Sequence, residues 1–154
     1  MDPLIGRYAE YLKKGRQSLL DKVQDLNHEE LHFTADGVLN SIAMLLKHSA
    51  QAEWYLIHNL VAGDPPLPQK TKPFEPGDET LDELVSALDQ TMKRTMEILE
   101  ALPEEKLLEE KEIRLSSGPT AVTNEWGILH TLEHEAQHIG QIIQLKKLAR
   151  AQSR

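Results

Sequence analysis

Hydrophobic side chains recur every three or four residues in four separate stretches of the chain, a pattern typical of amphipathic helices. The first stretch follows Asp2-Pro3, which joins a capping carboxylate to a proline suited to the first helical turn. The third stretch opens with Thr80 and Glu83 at capping-box spacing, and Pro103 marks its end. The pattern therefore predicts four helices, at about 2–25, 35–61, 80–102 and 123–148.

A long proline-rich connection separates the second and third predicted helices. Residues 62–79 contain five prolines and two glycines, which favour an extended chain over a helix. At roughly 3.3 Å per residue this connection can span about 59 Å, whereas a helix of about 25 residues is only about 37 Å long. It can therefore cross the whole bundle and let the third helix run parallel to the second, with a disordered linker as the alternative. Since only residues 112–115 hint at a strand, the sequence predicts an all-α four-helix bundle with a long crossover between helices two and three.

Composition limits the class of protein. A chain of 154 residues that is 40% hydrophobic has the size of one domain, so we expect a single domain over residues 1–154. The net charge of −8 repels phosphate backbones and anionic lipid, so we expect no nucleic-acid partner. The sequence shows neither a secretory signal nor a long apolar run, and we therefore expect a cytoplasmic protein with no membrane partner.

The chain contains no cysteine, which changes the possible chemistry. Disulfides, thiolate metal ligands and a cysteine nucleophile are all excluded, so imidazole and carboxylate are the strong metal ligands that remain. Any thiol used by this protein must therefore come from a small molecule.

Three histidines in the last predicted helix point to a metal site. His130, His134 and His138 are spaced four residues apart, so their imidazoles fall in a band about 80° wide on one helix face. Such a pair of imidazoles can hold one metal ion if another ligand comes from elsewhere in the fold. His48 on the second helix has apolar neighbours one turn away on either side, and it is therefore expected to point inward.

Depth along the bundle selects among these histidines. If the second and fourth helices are antiparallel with level ends, His48 lies about 18 Å from the end of the bundle. By the same rise His138 lies about 15 Å deep, His134 about 21 Å and His130 about 27 Å. The predicted metal site is therefore His48, His134 and His138, with His130 as an outer or substrate-facing group. The alternative is that these histidines are hydrogen-bonded core residues with no metal.

The remaining histidines are expected elsewhere. His28 and His32 are expected in a solvated polar turn, and His58 lies about 280° around the helix from His48, so it cannot share a site with it.

These segments resemble the DinB superfamily of metal-binding four-helix bundles, which includes the bacillithiol- and mycothiol-dependent transferases. The resemblance lies in Ser41-Ile-Ala-Met-Leu-Leu-Lys-His48, followed by Glu53 and Tyr55, and in His130-Thr-Leu-Glu-His134-Glu-Ala-Gln-His138-Ile-Gly140-Gln141. It implies an up-down-down-up topology and a homodimer. It also implies a small-molecule substrate and a possible low-molecular-weight thiol as co-substrate.

The same resemblance implies a divalent ion, most often nickel or zinc, on residues matching His48, His134 and His138. The family's motif usually ends His-Arg-Gly-Gln, whereas Ile139 stands at the arginine position here. A polar or anion-contacting role for that position is therefore not expected in this chain.

Two competing motifs overlap the last helix. His134-Glu135-Ala-Gln-His138 matches the zincin signature, but no His, Asp or Glu follows His138 to provide a third downstream ligand. Glu135-Ala-Gln-His138 also matches half of a di-iron carboxylate motif, and the chain has no second copy. The sequence therefore favours neither a zincin protease nor a di-iron protein.

Four polar side chains lie within one helical turn of the histidines: Glu133, Glu135, Gln137 and Gln141. Their positions around the helix do not single one of them out, so no catalytic acid or base is assigned.

Two classes of function follow. Three neutral imidazoles leave a metal its full charge and an open coordination position, as in a metal-dependent transferase or hydrolase acting on a small molecule. The alternative is a non-enzymatic, stress-associated bundle in which the metal only stabilises the fold or a dimer. An open pocket beside the site favours the first class. Trp54, Tyr55 and Trp126 are expected in the core rather than at such a pocket.

Overall fold

Helices make up most of the computed structural model, which describes residues 1–37, 40–67 and 76–153. Within these residues, four long helices form a bundle to which a short helix and a β-hairpin are added. The elements in chain order are α1 (Pro3–Val23), α2 (His28–His32), α3 (Ile42–Glu53) continued by a π-helical turn (Trp54–Asn59), α4 (Leu81–Ala101), a 3₁₀ turn (Glu104–Lys106), β1 (Glu110–Leu115), β2 (Gly118–Thr123) and α5 (Asn124–Gln152). The predicted all-α four-helix bundle is confirmed.

Side-chain contacts show the relative direction of α1 and α5. Tyr8 donates a hydrogen bond to Glu125 near the starts of α1 and α5. Lys146 contacts Asp25 where these two helices end, with Nζ 2.6 Å from Oδ1. Because the starts of the two helices contact each other and their ends contact each other, α1 and α5 run parallel.

Helices α3 and α4 also run parallel. Lys47 forms an ion pair with Glu79 just before α4, and His58 lies 3.0 Å from the hydroxyl of Thr95 farther along both segments. Since α3 is antiparallel to α5, the topology is up-down-down-up, as the long crossover predicted. The connection itself includes residues 68–75, which lie outside the described residues.

Helix α3 begins later than the sequence indicated. It was expected to start near Ala35-Asp36, but its first residue is Ile42, and the Ser41 hydroxyl caps it by accepting a hydrogen bond from the Met44 amide at 3.2 Å. Gly37 has φ +75°, a left-handed conformation that belongs to a turn and not to a helix. A turn therefore occupies the predicted first helical residues.

The π-helical turn ends α3 beside the N-terminal part of α5. Its wider hydrogen-bonding pattern joins the Leu60 amide to the Tyr55 carbonyl and the Ala62 amide to the Ile57 carbonyl, both at 3.1 Å. Gly127 of α5 lies so close that an added Cβ would stand 2.6 Å from the Leu56 carbonyl oxygen. Only glycine permits this approach, which sets the spacing between α3 and α5 near the site.

The hairpin covers one side of the bundle. Strands β1 and β2 pair antiparallel, with Ile113 opposite Thr120 and Leu115 opposite Gly118. Ile113 packs with Leu60, the residue directly after the π-helical turn, and this contact attaches the hairpin to the helices. The strand suggested for residues 112–115 is therefore present and longer, and its partner strand was not predicted.

Two apolar clusters fill the bundle, one towards each end. Between them lies a layer of buried polar side chains, one from each long helix: Arg16, Glu53, Thr95 and Glu135. The layer stands at the level of the histidines on α3 and α5. No helix among the described residues is long and apolar enough to cross a membrane.

Candidate metal centre

Three imidazoles from two helices converge between α3 and α5. His134 and His138 lie one turn apart on α5, and His48 faces them from α3. The Nε2 atom of His134 is 3.0 Å from Nε2 of His48 and 3.2 Å from Nε2 of His138. The structure therefore brings together the three histidines that the depth argument selected.

The spacing of these nitrogens suits a single divalent ion. Metal–nitrogen bonds of about 2.0–2.1 Å at a tetrahedral ion place neighbouring ligand nitrogens about 3.3 Å apart. The observed separations of 3.0 and 3.2 Å are close to that value. Imidazole nitrogen is also a preferred ligand of zinc and nickel, so the donor set and its geometry both fit such an ion.

A neighbouring amide orients one of the imidazoles. His138 Nδ1 lies 2.8 Å from Gln141 Oε1, to which it donates its N–H. In the neutral ring this leaves the lone pair on Nε2, which points to the other two histidines. Metal-binding histidines characteristically have their second nitrogen fixed in this way.

Burial keeps the three imidazoles neutral. It lowers the pKa of His48 and of His134 to about 4, and repulsion from neighbouring histidines adds to both shifts. Burial also lowers the pKa of His138, although the hydrogen bond to Gln141 acts in the opposite direction. Near pH 7 the lone pairs are therefore free of protons and available to a metal.

A cavity of about 310 Å³ opens beside the histidines. Most of its wall is apolar or aromatic, and its lining includes Tyr55, Ile113, Leu115, Trp126, His130, His48 and His134. The expectation that Tyr55 is a core residue was wrong, because the π-helical turn presents it to this cavity. Trp126 packs against the apolar core, as expected, and also lines the cavity. Trp54 instead donates its indole N–H to the Pro65 carbonyl at 3.1 Å.

His130 lies outside the group of three. Its ring stacks on Trp126 with centroids 4.5 Å apart and planes 11° from parallel, and its centroid is 6.4 Å from that of His134. It forms part of the cavity wall, outside the three-histidine group as predicted.

The remaining histidines are placed elsewhere. His58 is fully buried, and its Nε2 lies 3.0 Å from the Thr95 hydroxyl and 3.1 Å from the Thr91 carbonyl. As predicted, it does not join His48. His28 and His32 lie on the short helix α2 instead of in the irregular turn expected for them, because Asn27 and Glu30 form a capping box.

The buried polar layer lies directly behind the site. Arg16 donates through Nε to Glu135 at 2.7 Å, through one terminal nitrogen to Glu53, and through the other to the Leu88 carbonyl at 2.8 Å. The Thr95 hydroxyl donates to the second oxygen of Glu53 at 2.5 Å. All three charged side chains are at least 94% buried, since their exposed fractions are 5% for Arg16, 1% for Glu53 and 6% for Glu135.

The hydrogen bonds of this layer hold Glu135 away from the cavity. A zincin general base must face the metal-bound reactants, but Glu135 is held by Arg16 inside the bundle and is absent from the cavity wall. Burial raises the pKa of its carboxyl group, against the opposing effect of Arg16. The His-Glu-x-x-His match is therefore accounted for by structure and not by protease chemistry.

Sequence reasoning missed the layer, although one signal was present. Arg16 occupies a position in the regular three-four repeat of buried residues along α1, between Leu12 and Leu19. A charged residue on an apolar stripe requires a buried partner. That requirement, together with Glu53 on the buried face of α3, would have indicated an ion pair in the core.

Comparisons with known proteins agree with this geometry. The family model for mycothiol S-transferase matches residues 8–150. A crystal structure of a conserved protein from Enterococcus faecalis has the same fold, with a TM-score of 0.80 at 16% identity, covering 98% of this chain and 99% of that one. A search of curated proteins found no significant match. The resemblance to the DinB superfamily is confirmed, and the chain belongs to the mycothiol S-transferase family.

Proposed function

We propose that this protein is a metal-dependent thiol S-transferase in which His48, His134 and His138 bind one divalent ion, nickel or zinc. The observation that carries the proposal is the convergence of three neutral imidazoles beside an open cavity. Family membership supports the reaction class, since the matching family model is that of a thiol S-transferase.

The ion supplies one chemical function when bound: it holds a low-molecular-weight thiol as the thiolate, which is the nucleophilic form. Because the chain has no cysteine, that thiol must be a small-molecule substrate. In the overall transfer, the thiol sulfur forms a bond to an electrophilic carbon of the second substrate. The leaving group departs with its electron pair, and the thiol proton is released to solvent.

The cavity wall binds the electrophilic substrate. Tyr55, Leu115 and the Trp126–His130 stack present flat or apolar surfaces next to the histidines. Such a wall excludes water and holds an apolar group close to the reacting sulfur. A volume of about 310 Å³ suits a small molecule and not a folded protein or a peptide strand.

Gln141 has a positioning role. Through its hydrogen bond to His138 it fixes the tautomer that directs the Nε2 lone pair to the ion. His130 belongs to the substrate side, because it lines the cavity outside the three-histidine group.

The alternative of a purely structural metal is less well supported. Structural sites are closed, whereas the cavity here reaches His48 and His134 directly.

The proposal also includes a single domain over residues 1–154, a homodimer and a cytoplasmic location. Light scattering tests the dimer.

A transfer assay tests the activity. Protein loaded with nickel or zinc is incubated with mycothiol and a chromogenic aromatic halide, and thioether formation is followed. We expect turnover for the wild type, none for His48→Ala, and turnover that depends on the metal. If fully loaded wild type gives no thioether with mycothiol, bacillithiol or glutathione, the transferase assignment is wrong.

A further inference from the structure

A second group of metal-ligand side chains lies outside the candidate centre, where α2 meets the start of α4. His28 and His32 stand one turn apart on α2, with ring centroids 4.6 Å apart. Asp78 comes from the chain segment before α4, and its Oδ1 is 2.8 Å from His28 Nε2. One ligand atom from each of the three residues lies within 4.8 Å of the other two.

A hydrogen bond to the backbone fixes the orientation of the His32 ring. Its Nε2 lies 2.8 Å from the backbone carbonyl oxygen of Glu79. A carbonyl oxygen only accepts hydrogen bonds, so Nε2 carries the proton, and the lone pair of the neutral ring is on Nδ1. In metal-binding histidines, the ring nitrogen that does not bind the metal characteristically donates a hydrogen bond to a backbone carbonyl, which orients the ring. In the first site, His138 is oriented in a comparable way, by the side-chain amide oxygen of Gln141.

The residues around Asp78 are held in place. Glu79 forms an ion pair with Lys47 of α3, and Thr80 and Glu83 form the capping box that starts α4. The third potential ligand is therefore attached to a fixed helix start, 50 residues along the chain from His28.

We propose that His28, His32 and Asp78 form a second divalent-metal site, which joins α2 to the start of α4. Two imidazoles and one carboxylate favour zinc, nickel or copper over magnesium or calcium, which prefer oxygen ligands throughout. The site is open to solvent, since the side chains of His28 and Asp78 are 55% and 94% exposed. It therefore exchanges its ion readily and binds more weakly than the three-histidine centre.

Zinc titration of the full chain tests this proposal. Zinc chloride is titrated by equilibrium dialysis into wild type, His28→Ala and His48→Ala protein. We expect two zinc ions per wild-type chain, loss of the weaker one in His28→Ala, and loss of the tighter one in His48→Ala. His130→Ala is the matched control, because His130 is also partly exposed and has a carboxylate of Glu133 at 3.6 Å. It should keep both ions.

The outcomes separate the two sites. If His48→Ala still binds one zinc that His28→Ala lacks, the second site exists whatever the function of the first. If wild type binds a single zinc that His28→Ala also retains, or if His28→Ala and His130→Ala bind the same number of ions, the second site is overturned. Thermal melting gives an independent readout. Zinc beyond the first equivalent should raise the melting temperature of wild type and leave that of Asp78→Asn unchanged.

Discussion

The guanidinium Nε of Arg16 lies 2.7 Å from Glu135 Oε1, and this buried ion pair joins α1 to α5 at the residue that follows His134. A second carboxylate, that of Glu53 on α3, binds the same guanidinium. The helices that carry the candidate ligands are thus fixed to each other through α1. One guanidinium therefore binds two carboxyl groups in this layer, directly behind the three histidines.

Replacing Arg16 with leucine should strongly destabilise the protein. The change leaves two buried carboxylates without their cation, and loss of one partner from a buried ion pair costs about 3–5 kcal/mol. Urea denaturation should show a lower free energy of unfolding by about this amount. Arg150→Leu is the control, because Arg150 pairs with Glu30 and Asp25 at the surface, where the loss should be small. Equal losses in both variants would contradict the role given to Arg16.

The stability of the metal-free protein should depend on pH through His48 and His134. Their pKa is about 4 in the folded protein against 6.5 for the free side chain, so the folded state disfavours the charged form. Above about pH 6.5 these histidines are neutral in both states, and the folded state has its full stability. As the pH falls from about 6.5 to about 4, the unfolded state takes up protons that the folded state does not, and this stability is lost. Chemical denaturation between pH 7 and 4 should therefore show a steeper decline for wild type than for His48→Ala. Parallel curves would show that His48 is not shifted.

Gln141→Leu should weaken metal binding without unfolding the protein. Loss of the hydrogen bond frees the His138 ring, and the loss of such an orienting partner typically lowers metal affinity about 10- to 100-fold. Competition with a chromogenic chelator measures this change. Gln137→Leu is a matched control, since Gln137 is also exposed on α5, one helical turn before Gln141. The role of Gln141 is refuted if the two variants hold metal equally well.

Tyr55→Ser should impair substrate binding while leaving the metal in place. Tyr55 contributes apolar surface to the cavity, and loss of such surface should raise KM for an aromatic electrophile about tenfold. Metal content should equal that of wild type. Tyr11→Ser serves as the control, because Tyr11 is 61% exposed and does not line the cavity. An unchanged KM for Tyr55→Ser would place the electrophile elsewhere.

Local signals were enough to predict most helices and the three converging histidines. Asp2, Thr80 and Thr123 cap α1, α4 and α5 where the sequence indicated, because capping depends on a side chain and amides only a few residues away. The four-residue spacing of His134 and His138 likewise acts within one helix.

Features that depend on contacts between distant segments were missed. The π-helical turn accompanies the close approach of Gly127 to Leu56, and no local signal indicates it. Strand β2 was missed because Val122 is its one bulky apolar residue, too few for an alternating pattern. The ion pairs of Arg16 require partners on two other helices, so its position on an apolar stripe indicates a need for partners but not their identity.

Metal content tests the central claim most directly. Untagged wild type, His48→Ala and His130→Ala are incubated with nickel or zinc, exchanged into metal-free buffer to remove weakly bound ions, and analysed by mass spectrometry. The three-histidine centre predicts about one retained ion per chain in wild type and His130→Ala, and none in His48→Ala. Wild type that retains no ion, or His48→Ala that retains as much as wild type, would contradict it.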